Sequence, residues 1–381
     1  MNKIRLSKSS LGVEEKQAVL NILDSEFLGM GAETKNFEND LKAYIGGERE
    51  IISVNTGTSA LNLALSCLNI GAGDEVIVPS LTYVASYQAI AACGATPVSC
   101  DVDLSTGFIC PKAAKKLITK NTKAIMPVHY ASQSFGIDAI YELAHHYGLR
   151  VIEDAAHAFG CVYERKKIGS FGDIICFSFD GIKNITCGEG GAIVTGDVCL
   201  ADRLRDARLL GVEKDSEARF KGQRSWTFDV KHLGYRYHLS NIMAAIGREQ
   251  LKKVDNFGRK RRNHASLYMT GLADVSEVTL FCHAFDGVIP HIFPIRVNKL
   301  FRAELREFLL SRDIETGLHY YPNHKLTLFS TSTDNCPNSE TIGDELITLP
   351  LHTDLTSSDV ERVVDTIKCF FREVKISDAK S

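Results

Sequence analysis

The first 200 or so residues of this chain alternate between two patterns of apolar positions. Short runs rich in β-branched and aromatic residues indicate strands, and longer segments with apolar residues every three to four positions indicate helices. The strand-like runs are Ile51–Val54, Glu75–Val78, Pro97–Val102, Ala124–Val128, Arg150–Glu153, Ile174–Phe179 and Ala192–Thr195. The helix-like segments are Ser59–Leu68, Tyr83–Ala92, Pro111–Ile118 and Asp138–Tyr147. Because strands and helices alternate, we predict an α/β fold whose mostly parallel mixed sheet is flanked by helices.

The pattern changes near residue 241. A long helix-like stretch, Asn241–Met269, is followed by strands near Val278–Phe281 and at His291–Val297. Helices then fit Leu300–Ser311 and Ser357–Phe371. Fewer strands and more helix are typical of a smaller α+β domain. We therefore predict two domains, a large domain of residues 1–250 and a C-terminal domain of residues 251–381.

The composition is that of an ordinary globular protein. Hydrophobic residues make up 44% and charged residues 24% of the 381 positions. The net charge of -3 does not provide the basic surface that nucleic-acid binding needs, so we exclude that class. The N-terminus does not resemble a signal peptide, and no run of about 18 apolar residues occurs, so we expect no membrane span.

The eleven cysteines form no C-x-x-C pair, and those at Cys67 and Cys176 lie in apolar contexts. Free thiols in such contexts behave as small buried hydrophobes, which is typical of a protein from a reducing compartment. We therefore expect a cytoplasmic protein with reduced thiols, and we assign no metal site.

An acid and a lysine follow two of the predicted strands. Asp154 ends R-V-I-E-D, and Lys183 comes after F-S-F and before the glycine-rich N-I-T-C-G-E-G-G. Shielding from water lowers the pKa of a lysine and makes it a nucleophile, which an ordinary solvated loop lysine is not. Pyridoxal phosphate (PLP) needs both groups, because the lysine forms a Schiff base with its aldehyde and the carboxylate keeps its pyridine nitrogen protonated. Since Glu153 points to the opposite face of its strand, Asp154 is the acid we expect at the cofactor.

A phosphate site fits the strand–turn–helix junction N-T-G-T-S-A-L. Gly57 permits a tight turn, and the N–H groups around Thr58 and Ser59 would lie at a helix N-terminus, where anions bind. The alternative is a plain N-cap. Ser178 is the polar member of the apolar strand F-S-F and is a second hydroxyl candidate. Tyr83 begins a predicted helix, where its ring either stacks on a pyridine face or is an ordinary aromatic of the helix surface.

With these residues in place, the chain resembles the DegT/StrS family of PLP-dependent sugar-nucleotide aminotransferases over nearly its whole length. The motifs that carry the resemblance are T-G-T-S-A-L, G-D-E-V-I-V-P-S-L-T-Y-V-A, P-V-H-Y, E-D-A-A-H-A-F-G, G-S-F-G-D, F-S-F-D-G-I-K-N-I-T-C-G-E-G-G-A and H-Y-Y-P-N-H. The resemblance implies PLP fold type I and a homodimer with two active sites built across the subunit interface.

The family's residue roles can be carried over by position. Lys183 would be the Schiff-base lysine and Asp154 the partner of the pyridinium nitrogen. His157 would contact the phenolic oxygen of the cofactor, with a satisfied supporting histidine as the alternative, and Tyr83 would be the stacking ring. The residues that correspond to the family's phosphate ligands are Gly57, Thr58 and Ser178.

One motif departs from the family's pattern. The family usually has G-Y-N-Y-R-M before the long helix, and its Asn reaches the phosphate of the neighbouring subunit's cofactor. This chain has G-Y-R-Y-H-L, which places Arg236 at the Asn position and His238 at the Arg position. An arginine binds phosphate through strong charge-assisted hydrogen bonds. Either the cofactor's phosphate or the substrate's diphosphate is then its ligand.

The resemblance implies a transamination in two halves. Glutamate donates its amino group to PLP, and the aminated cofactor passes it to a keto group of a nucleotide-linked hexose. Lys183 would hold the cofactor and then act as the general base. The turn K-N-I-T-C-G-E-G-G resembles relatives that aminate carbon 4 of a 4-keto-6-deoxy sugar rather than carbon 3, for O-antigen, surface-glycan or glycoside amino sugars. A dTDP-linked sugar is the first expectation and a UDP-linked sugar the second.

The substrate's diphosphate needs cations, and L-H-Y-Y-P-N-H-K contains several polar candidates. The residues expected to bind substrate are Arg236, His319, Tyr320, His324 and Lys325. For His324 and Lys325 the alternative is a solvated loop.

Two other functional classes compete with an aminotransferase. A PLP-dependent sugar dehydratase would eliminate a hydroxyl group, but the sugar dehydratases of this type replace the lysine with histidine, so Lys183 argues against it. A non-catalytic regulatory relative would have a decayed site, whereas the lysine, aspartate and phosphate residues are all intact here. Cofactor absorbance that glutamate bleaches distinguishes the aminotransferase from both.

Overall fold

The computed structural model describes residues 2–224, 226–332 and 335–378. The helices that it contains are α1 Val13–Asp24, α2 Ala32–Ile45, α3 Gly57–Cys67, α4 Val84–Ala92, α5 Pro111–Leu117, α6 Ile137–Tyr147, α7 Val198–Ala207, α8 Asp215–Phe220, α9 Asn241–Leu251, α10 Val254–Leu272, α11 Lys299–Leu310, α12 Pro337–Glu345 and α13 Ser357–Asp378. None of the described helices is both long and apolar enough to cross a membrane.

The strands belong to three sheets. Their bounds are β1 Glu50–Val54, β2 Glu75–Pro79, β3 Thr96–Cys100, β4 Thr122–Ile125, β5 Arg150–Asp154, β6 Val162–Tyr163, β7 Lys166–Lys167, β8 Ile174–Ser178, β9 Gly191–Thr195, β10 Val278–Leu280, β11 Phe293–Val297 and β12 Leu346–Leu349. The large sheet has the order β1-β9-β8-β5-β4-β2-β3, and the small sheet has the order β10-β11-β12. All seven strand-like runs of the N-terminal region form strands of the large sheet.

The large sheet is parallel except at β9. The pairs from β8 through β5, β4 and β2 to β3 are parallel, whereas β9 runs antiparallel to both β8 and β1. A parallel neighbour needs a crossover connection, usually a helix. The loop 179–190 between β8 and β9 contains no helix, so the chain returns antiparallel. The predicted mostly parallel mixed sheet is confirmed, and this return loop carries Lys183.

Both faces of the large sheet are buried. Ile52 and Ile193 belong to one core cluster with residues of α3, α4 and α7. Their neighbours Ile51 and Val194 point the other way, into a cluster with residues of α2 and α9. This alternation with a period of two is what strand geometry requires, and helices on both faces explain the continuous apolar runs of the sequence.

The C-terminal strands form a separate small sheet. β10, β11 and β12 are antiparallel, and a core that includes Phe293, Leu305 and Val360 joins them to α11 and α13. This is the smaller α+β unit that the pattern predicts. The boundary between residues 250 and 251 stays a proposal. In its support, α9 contacts α1 and α2, whereas α10 contacts α13.

The helix-like stretch Asn241–Met269 forms two helices rather than one. α9 ends at Leu251 and α10 begins at Val254. α9 packs against α1 and α2, whereas α10 continues toward α13. Lys253 at the turn between them pairs with Glu15 of α1 at 2.7 Å. Periodicity alone cannot detect this break, since consecutive amphipathic helices present the same pattern as one long helix.

Candidate active site

A cavity of about 420 Å³ opens at the carboxyl ends of β5 and β8. Ligands of open α/β sheets bind at this edge, and the volume is in the range of small-molecule sites. Its walls come from the starts of α3 and α4, from the loop 179–190 and from the small unit. Most residues predicted for the site line it together, namely Gly57, Thr58, Tyr83, Asp154, His157, Ser178, Lys183, His319 and Tyr320.

Asp154 is fixed at the end of β5 through both its backbone and its side chain. Its N–H donates to the carbonyl of Pro127 at 2.9 Å, and its carbonyl accepts from the N–H of His129 at 3.0 Å. Its carboxylate accepts from Ser86 Oγ at 2.7 Å and from the N–H of Ala156 at 3.2 Å. A carboxylate held by two donors has a defined orientation, which a cofactor-binding acid requires.

Glu153 points to the opposite face of β5, as the alternation of side chains predicts. It is fully buried, and its two carboxylate oxygens bind the hydroxyl of Tyr141 and the Nε2 atom of His129, the latter at 2.6 Å. Asp154 therefore faces the cavity, whereas Glu153 forms hydrogen bonds on the other face of the sheet.

Lys183 lies on the wall of the cavity, half-buried in the loop 179–190. Its N–H donates to the carbonyl of Asp180 at 3.1 Å, which closes a turn directly after β8. Burial lowers the pKa of Lys183, while the charges of Asp154 and Asp180 act in the opposite direction. A lowered pKa increases the share of neutral amine, which is the nucleophilic form.

The N-terminus of α3 provides an anion site. Thr56 caps this helix, because its Oγ1 accepts from the N–H of Ser59 at 2.9 Å. The first N–H groups of an α-helix have no acceptor within the helix, so those of Gly57 and Thr58 are left for a ligand. A Cβ on Gly57 would come within 2.7 Å of the Cβ of Ser178, so glycine lets the helix start beside that hydroxyl.

His157 is a buried histidine with one ring nitrogen engaged and one free. Its Nε2 lies 2.9 Å from the hydroxyl of Tyr320. Its Nδ1 has no hydrogen-bond partner in the described part of the chain. Burial, followed by the charge of Lys183, lowers the pKa of His157 well below its usual range, so the ring is neutral. Buried polar atoms are normally hydrogen-bonded, so the free Nδ1 is suited to a ligand.

Tyr83 offers an open aromatic face at the mouth of the cavity. Its side chain is 58% exposed, and its ring centroid lies 5.7 Å from that of Tyr320. Such a face suits stacking against a planar ligand. His319 lies nearby with its Nδ1 3.0 Å from the hydroxyl of Thr348, and burial together with Lys183 lowers its pKa to about 4. His319 is therefore a neutral hydrogen-bonding group rather than a cation.

Ser59 and Arg236 do not line this cavity. The hydroxyl of Ser59 lies 2.8 Å from that of Thr56, so it takes part in the helix cap. Arg236 is exposed. Its strand-like segment is anchored, because the N–H groups of Tyr235 and Tyr237 donate to the carbonyls of Ala207 and Arg208 at the end of α7. The N–H of Asn55 also donates to the carbonyl of Tyr237, at 2.7 Å. The guanidinium is thus presented on a fixed backbone at the surface, near the strand end that leads into the anion site.

His324 and Lys325 also lie outside the cavity, on a short turn. Neither substrate binding nor a solvated loop, the two alternatives for these residues, fully describes it. His324 is buried, with Nδ1 2.6 Å from the Oγ of Ser80 and Nε2 3.2 Å from Glu340. Lys325 pairs with the same Glu340 at 2.9 Å. These contacts fix the turn that follows His319 and Tyr320, and they already engage both side chains.

Sequence reasoning missed three polar residues of the site. Ser86 lies in the first turn of α4, three residues after the N-cap Tyr83, and its polar hydroxyl in a mostly apolar helix could have indicated it. Asp180 and Glu189 flank Lys183 inside the glycine-rich motif and both line the cavity. Burial and the charge of Asp180 raise the pKa of Glu189. An inventory of acids around the lysine could have found this pair.

The residues of the cavity fit PLP. Lys183 is available for an aldehyde, and the oriented carboxylate of Asp154 is available for a ring nitrogen. The unpartnered Nδ1 of His157 suits a phenolic oxygen, and the helix start at Gly57 suits a phosphate. No group of three or more potential metal ligands occurs among the residues that the structure describes.

Comparison with known proteins gives one family over almost the whole chain. Residues 9–368 match the model of the DegT/DnrJ/EryC1/StrS aminotransferase family. This match confirms the resemblance that the motifs predict, and it spans both the large sheet and the small unit.

Solved structures give the same result. The aminotransferase TlmJ from Streptoalloteichus hindustanus is 31% identical, with a TM-score of 0.91 over 98% of this chain and 100% of that one. DesV from S. venezuelae, solved in complex with a ketimine intermediate, is 33% identical, with a TM-score of 0.88 over 97% and 99%. The putative sugar aminotransferase Spr1654 from Streptococcus pneumoniae, solved in its PMP form, is 28% identical, with a TM-score of 0.91 over 100% of both chains. These similarities confirm the predicted PLP fold type I.

Proposed function

This chain belongs to the DegT/DnrJ/EryC1/StrS aminotransferase family, and we propose that it moves the amino group of glutamate to carbon 4 of a nucleotide-linked 4-keto-6-deoxyhexose. It is a PLP-dependent sugar aminotransferase. The donor, the nucleotide, the keto position and the residue roles below are parts of the proposal.

The observation that supports the residue roles is that a lysine, Lys183, and a carboxylate, Asp154, line the same cavity. When bound, PLP supplies the electron sink that the amino transfer needs. Asp154 would hold the ring nitrogen, and Ser86 keeps its carboxylate oriented. Lys183 would hold the aldehyde end, and its neutral Nζ would then move the proton at the reacting carbon, because burial lowers its pKa.

His157 and Tyr83 would place the ring between them. The Nε2 of His157 is fixed by Tyr320, which leaves Nδ1 for the phenolic oxygen. The exposed ring of Tyr83 would stack on the cofactor ring. The N–H groups of Gly57 and Thr58, with the hydroxyl of Ser178, would hold the phosphate.

The charge of the cavity supports a homodimer with shared sites. Lys183 is the one lysine or arginine among the described residues that line it, and three acids line it as well: Asp154, Asp180 and Glu189. A cofactor phosphate, a nucleotide diphosphate and the carboxylates of glutamate are all anions, so further cations must approach from outside. The exposed Arg236 of a second subunit would supply one of them, to either the cofactor or the substrate.

The turn after Lys183 supports amination at carbon 4. Its sequence K-N-I-T-C-G-E-G-G resembles that of carbon 4 enzymes, and Glu189 of this turn lines the cavity. A carboxylate at this place can accept hydrogen bonds from sugar hydroxyls and so select which carbon approaches Lys183. Amination at carbon 3 is the alternative, and dTDP is the nucleotide we propose first, with UDP second.

Product analysis tests the proposal. The holoenzyme is incubated with glutamate and dTDP-4-keto-6-deoxyglucose, and in parallel with the UDP-linked sugar. Mass spectrometry detects the gain of an amino group, and NMR locates it on the ring. We expect a 4-amino product and stoichiometric 2-oxoglutarate, both of them absent with Lys183→Ala.

Other outcomes overturn separate parts of the proposal. If the enzyme aminates carbon 3 of a 3-keto sugar instead, the proposed position on the ring is wrong, but the reaction is still a transamination. A product that has lost oxygen without gaining nitrogen would indicate a dehydratase. Cofactor absorbance that glutamate does not change would exclude glutamate as the donor.

A further inference from the structure

A short buried turn after β4 contains two non-glycine residues with positive φ angles. Tyr130, Ala131 and Ser132 form a single 3₁₀ turn, and the φ angles of Ala131 and Ser132 are 49° and 70°. Both residues are fully buried. Positive φ is costly for residues with a Cβ, and such strain persists only where surrounding contacts enforce it, often at functional sites.

The contacts of this turn reach three segments around the cavity. The hydroxyl of Tyr130 donates to the carbonyl of His319 at 2.6 Å. The hydroxyl of Ser132 donates to the carbonyl of His157 at 2.5 Å and accepts from the N–H of His291 at 2.9 Å. The turn thus holds the backbones of three histidines, of which His157 and His291 are buried and His157 and His319 line the cavity.

The contact with His157 also connects the turn to the loop 179–190, which carries Lys183. The carbonyl of His157 accepts a second hydrogen bond, at 3.3 Å, from the side-chain amide of Asn184. Asn184 directly follows Lys183 in the chain. Ser132 and Asn184 therefore donate hydrogen bonds to the same carbonyl oxygen, and the position of His157 relative to Lys183 depends on both.

We propose that Ser132 is a positioning residue, whose hydroxyl fixes His157 so that its free Nδ1 meets the cofactor. The proposal rests on the function proposed above, in which His157 contacts the phenolic oxygen. The imidazole of His157 packs against that of His291, with ring centroids 4.5 Å apart. Since Ser132 binds the backbones of both residues, its hydroxyl sets the distance between the two segments that carry these rings.

The backbone offers a way to separate strain from positioning. Glycine adopts positive φ without steric cost, so Ser132→Gly relieves strain and removes the hydroxyl, whereas Ala131→Gly only relieves strain. A purely structural turn would lose stability in Ser132→Gly, because the buried N–H of His291 loses its acceptor, but it would keep its activity. A positioning turn would lose activity as well in Ser132→Gly, whereas Ala131→Gly keeps both hydrogen bonds and should keep its activity.

The test compares holoenzymes of the wild type, Ser132→Gly, Ala131→Gly and His157→Asn. The readouts are the thermal midpoint, the pH at which the visible absorbance of the bound cofactor changes, and the kcat and KM of the reaction with glutamate. For Ser132→Gly, assayed well below its thermal midpoint so that the enzyme is folded, we expect a kcat about ten-fold lower, since small misplacements of catalytic groups have effects of this size or larger. We also expect the absorbance transition to shift by about half a pH unit or more, in the direction that His157→Asn produces.

Ala131→Gly should keep the wild-type kcat and absorbance transition. If Ser132→Gly also keeps both while His157→Asn shifts the transition, the positioning role of Ser132 is refuted and the role of His157 stands. If His157→Asn leaves the transition unchanged, the proposed contact of His157 with the cofactor is itself refuted. Ser132→Ala, which keeps the Cβ and loses the hydroxyl, provides a second variant and should reproduce the loss of kcat.

Discussion

The hydroxyl of Ser86 lies 2.7 Å from a carboxylate oxygen of Asp154, and both residues are buried. Ser86 is in turn held by Thr82, whose Oγ1 lies 2.9 Å away. Because Asp154 ends β5 and Ser86 lies on α4, this hydrogen bond connects two elements that form separate walls of the cavity. It ties the orientation of the acid to the helix that also begins next to Tyr83.

Ser86→Ala should slow the reaction with glutamate about ten-fold or more, because a hydrogen bond to a charged group contributes roughly 1.5–3 kcal/mol and each 1.4 kcal/mol is a factor of ten. Ser86→Thr keeps the hydroxyl and is the matched control. Stopped-flow absorbance of the bound cofactor measures the rate. Equal rates for the alanine variant and the wild type would show that Ser86 does not orient Asp154.

Asp154→Asn should retain the cofactor but react slowly, because an amide cannot keep the pyridine nitrogen protonated. The side-chain volume is nearly unchanged, so we expect little loss of stability. Glu153→Gln is the neighbouring control: it lies behind the sheet and binds Tyr141 and His129. That variant should lose stability and keep a larger share of the rate. The reverse ranking of the two rates would mean that Asp154 does not serve the cofactor.

The sheet could be predicted from the sequence because both of its faces are buried. Strands such as Ile174–Ser178 then appear as continuous apolar runs between turn residues, and each run matched a strand. Helix α1 could not be predicted in this way, because it buries only Glu15 within the subunit and its apolar residues Val13, Leu20 and Leu23 are exposed. The apolar face of such a helix is exposed in its own subunit, so its sequence does not show the pattern of one buried face.

The site was predictable where chemistry depends on residue type and not where it depends on orientation. Lys183 and Asp154, which line the cavity, were recognisable candidates because few residue types can perform the roles proposed for them. Ser86 and Ser132 were not, because a serine hydroxyl acquires its role only when folding brings it to a particular oxygen, here from 68 and 25 residues away along the chain. The Arg236 position was found only through its departure from a family motif.

Acid should destabilise the protein partly through His283. Burial lowers the pKa of His283 to about 4 from its usual 6.5. Below pH 6.5 the unfolded chain therefore binds a proton that the folded protein does not, so the stability contributed by the neutral ring is complete above pH 6.5 and is lost as the pH falls toward 4. His283→Phe removes this proton uptake and keeps a ring that can stack on Phe285 and Phe293.

We expect His283→Phe to flatten the pH dependence of the unfolding free energy between pH 6.5 and 4, by at most about 1.4 kcal/mol per pH unit for one proton. Urea unfolding of the holoenzyme at several pH values measures this slope. His145→Gln, at an exposed position of α6, is the control for the removal of a histidine as such. An unaltered slope in His283→Phe would show that this ring is not kept neutral by burial.

Arg236 should act in the active site of the neighbouring subunit. It is exposed within its own subunit and does not line that subunit's cavity, although the cavity needs cations for its anionic ligands. Loss of a charge-assisted contact of this kind costs roughly 1.5–3 kcal/mol. Arg236→Ala should therefore weaken the binding of PLP or of the nucleotide sugar by about ten- to a hundred-fold. Titration of each ligand separately identifies which phosphate the guanidinium binds.

Mixed dimers then test whether the contact crosses the interface. We expect Lys183→Ala subunits to be inactive and Arg236→Ala subunits to be impaired at limiting ligand concentration. If Arg236 serves the neighbouring site, a dimer with one subunit of each kind contains one site with both residues intact. Random exchange makes half of all dimers mixed, each with one of its two sites restored, so about a quarter of the wild-type activity should return. Mass spectrometry of the intact dimers verifies the exchange. Activity that stays at the average of the two parents after verified exchange would mean that Arg236 serves its own subunit or neither site, and the cations for the diphosphate would then have to come from another exposed segment.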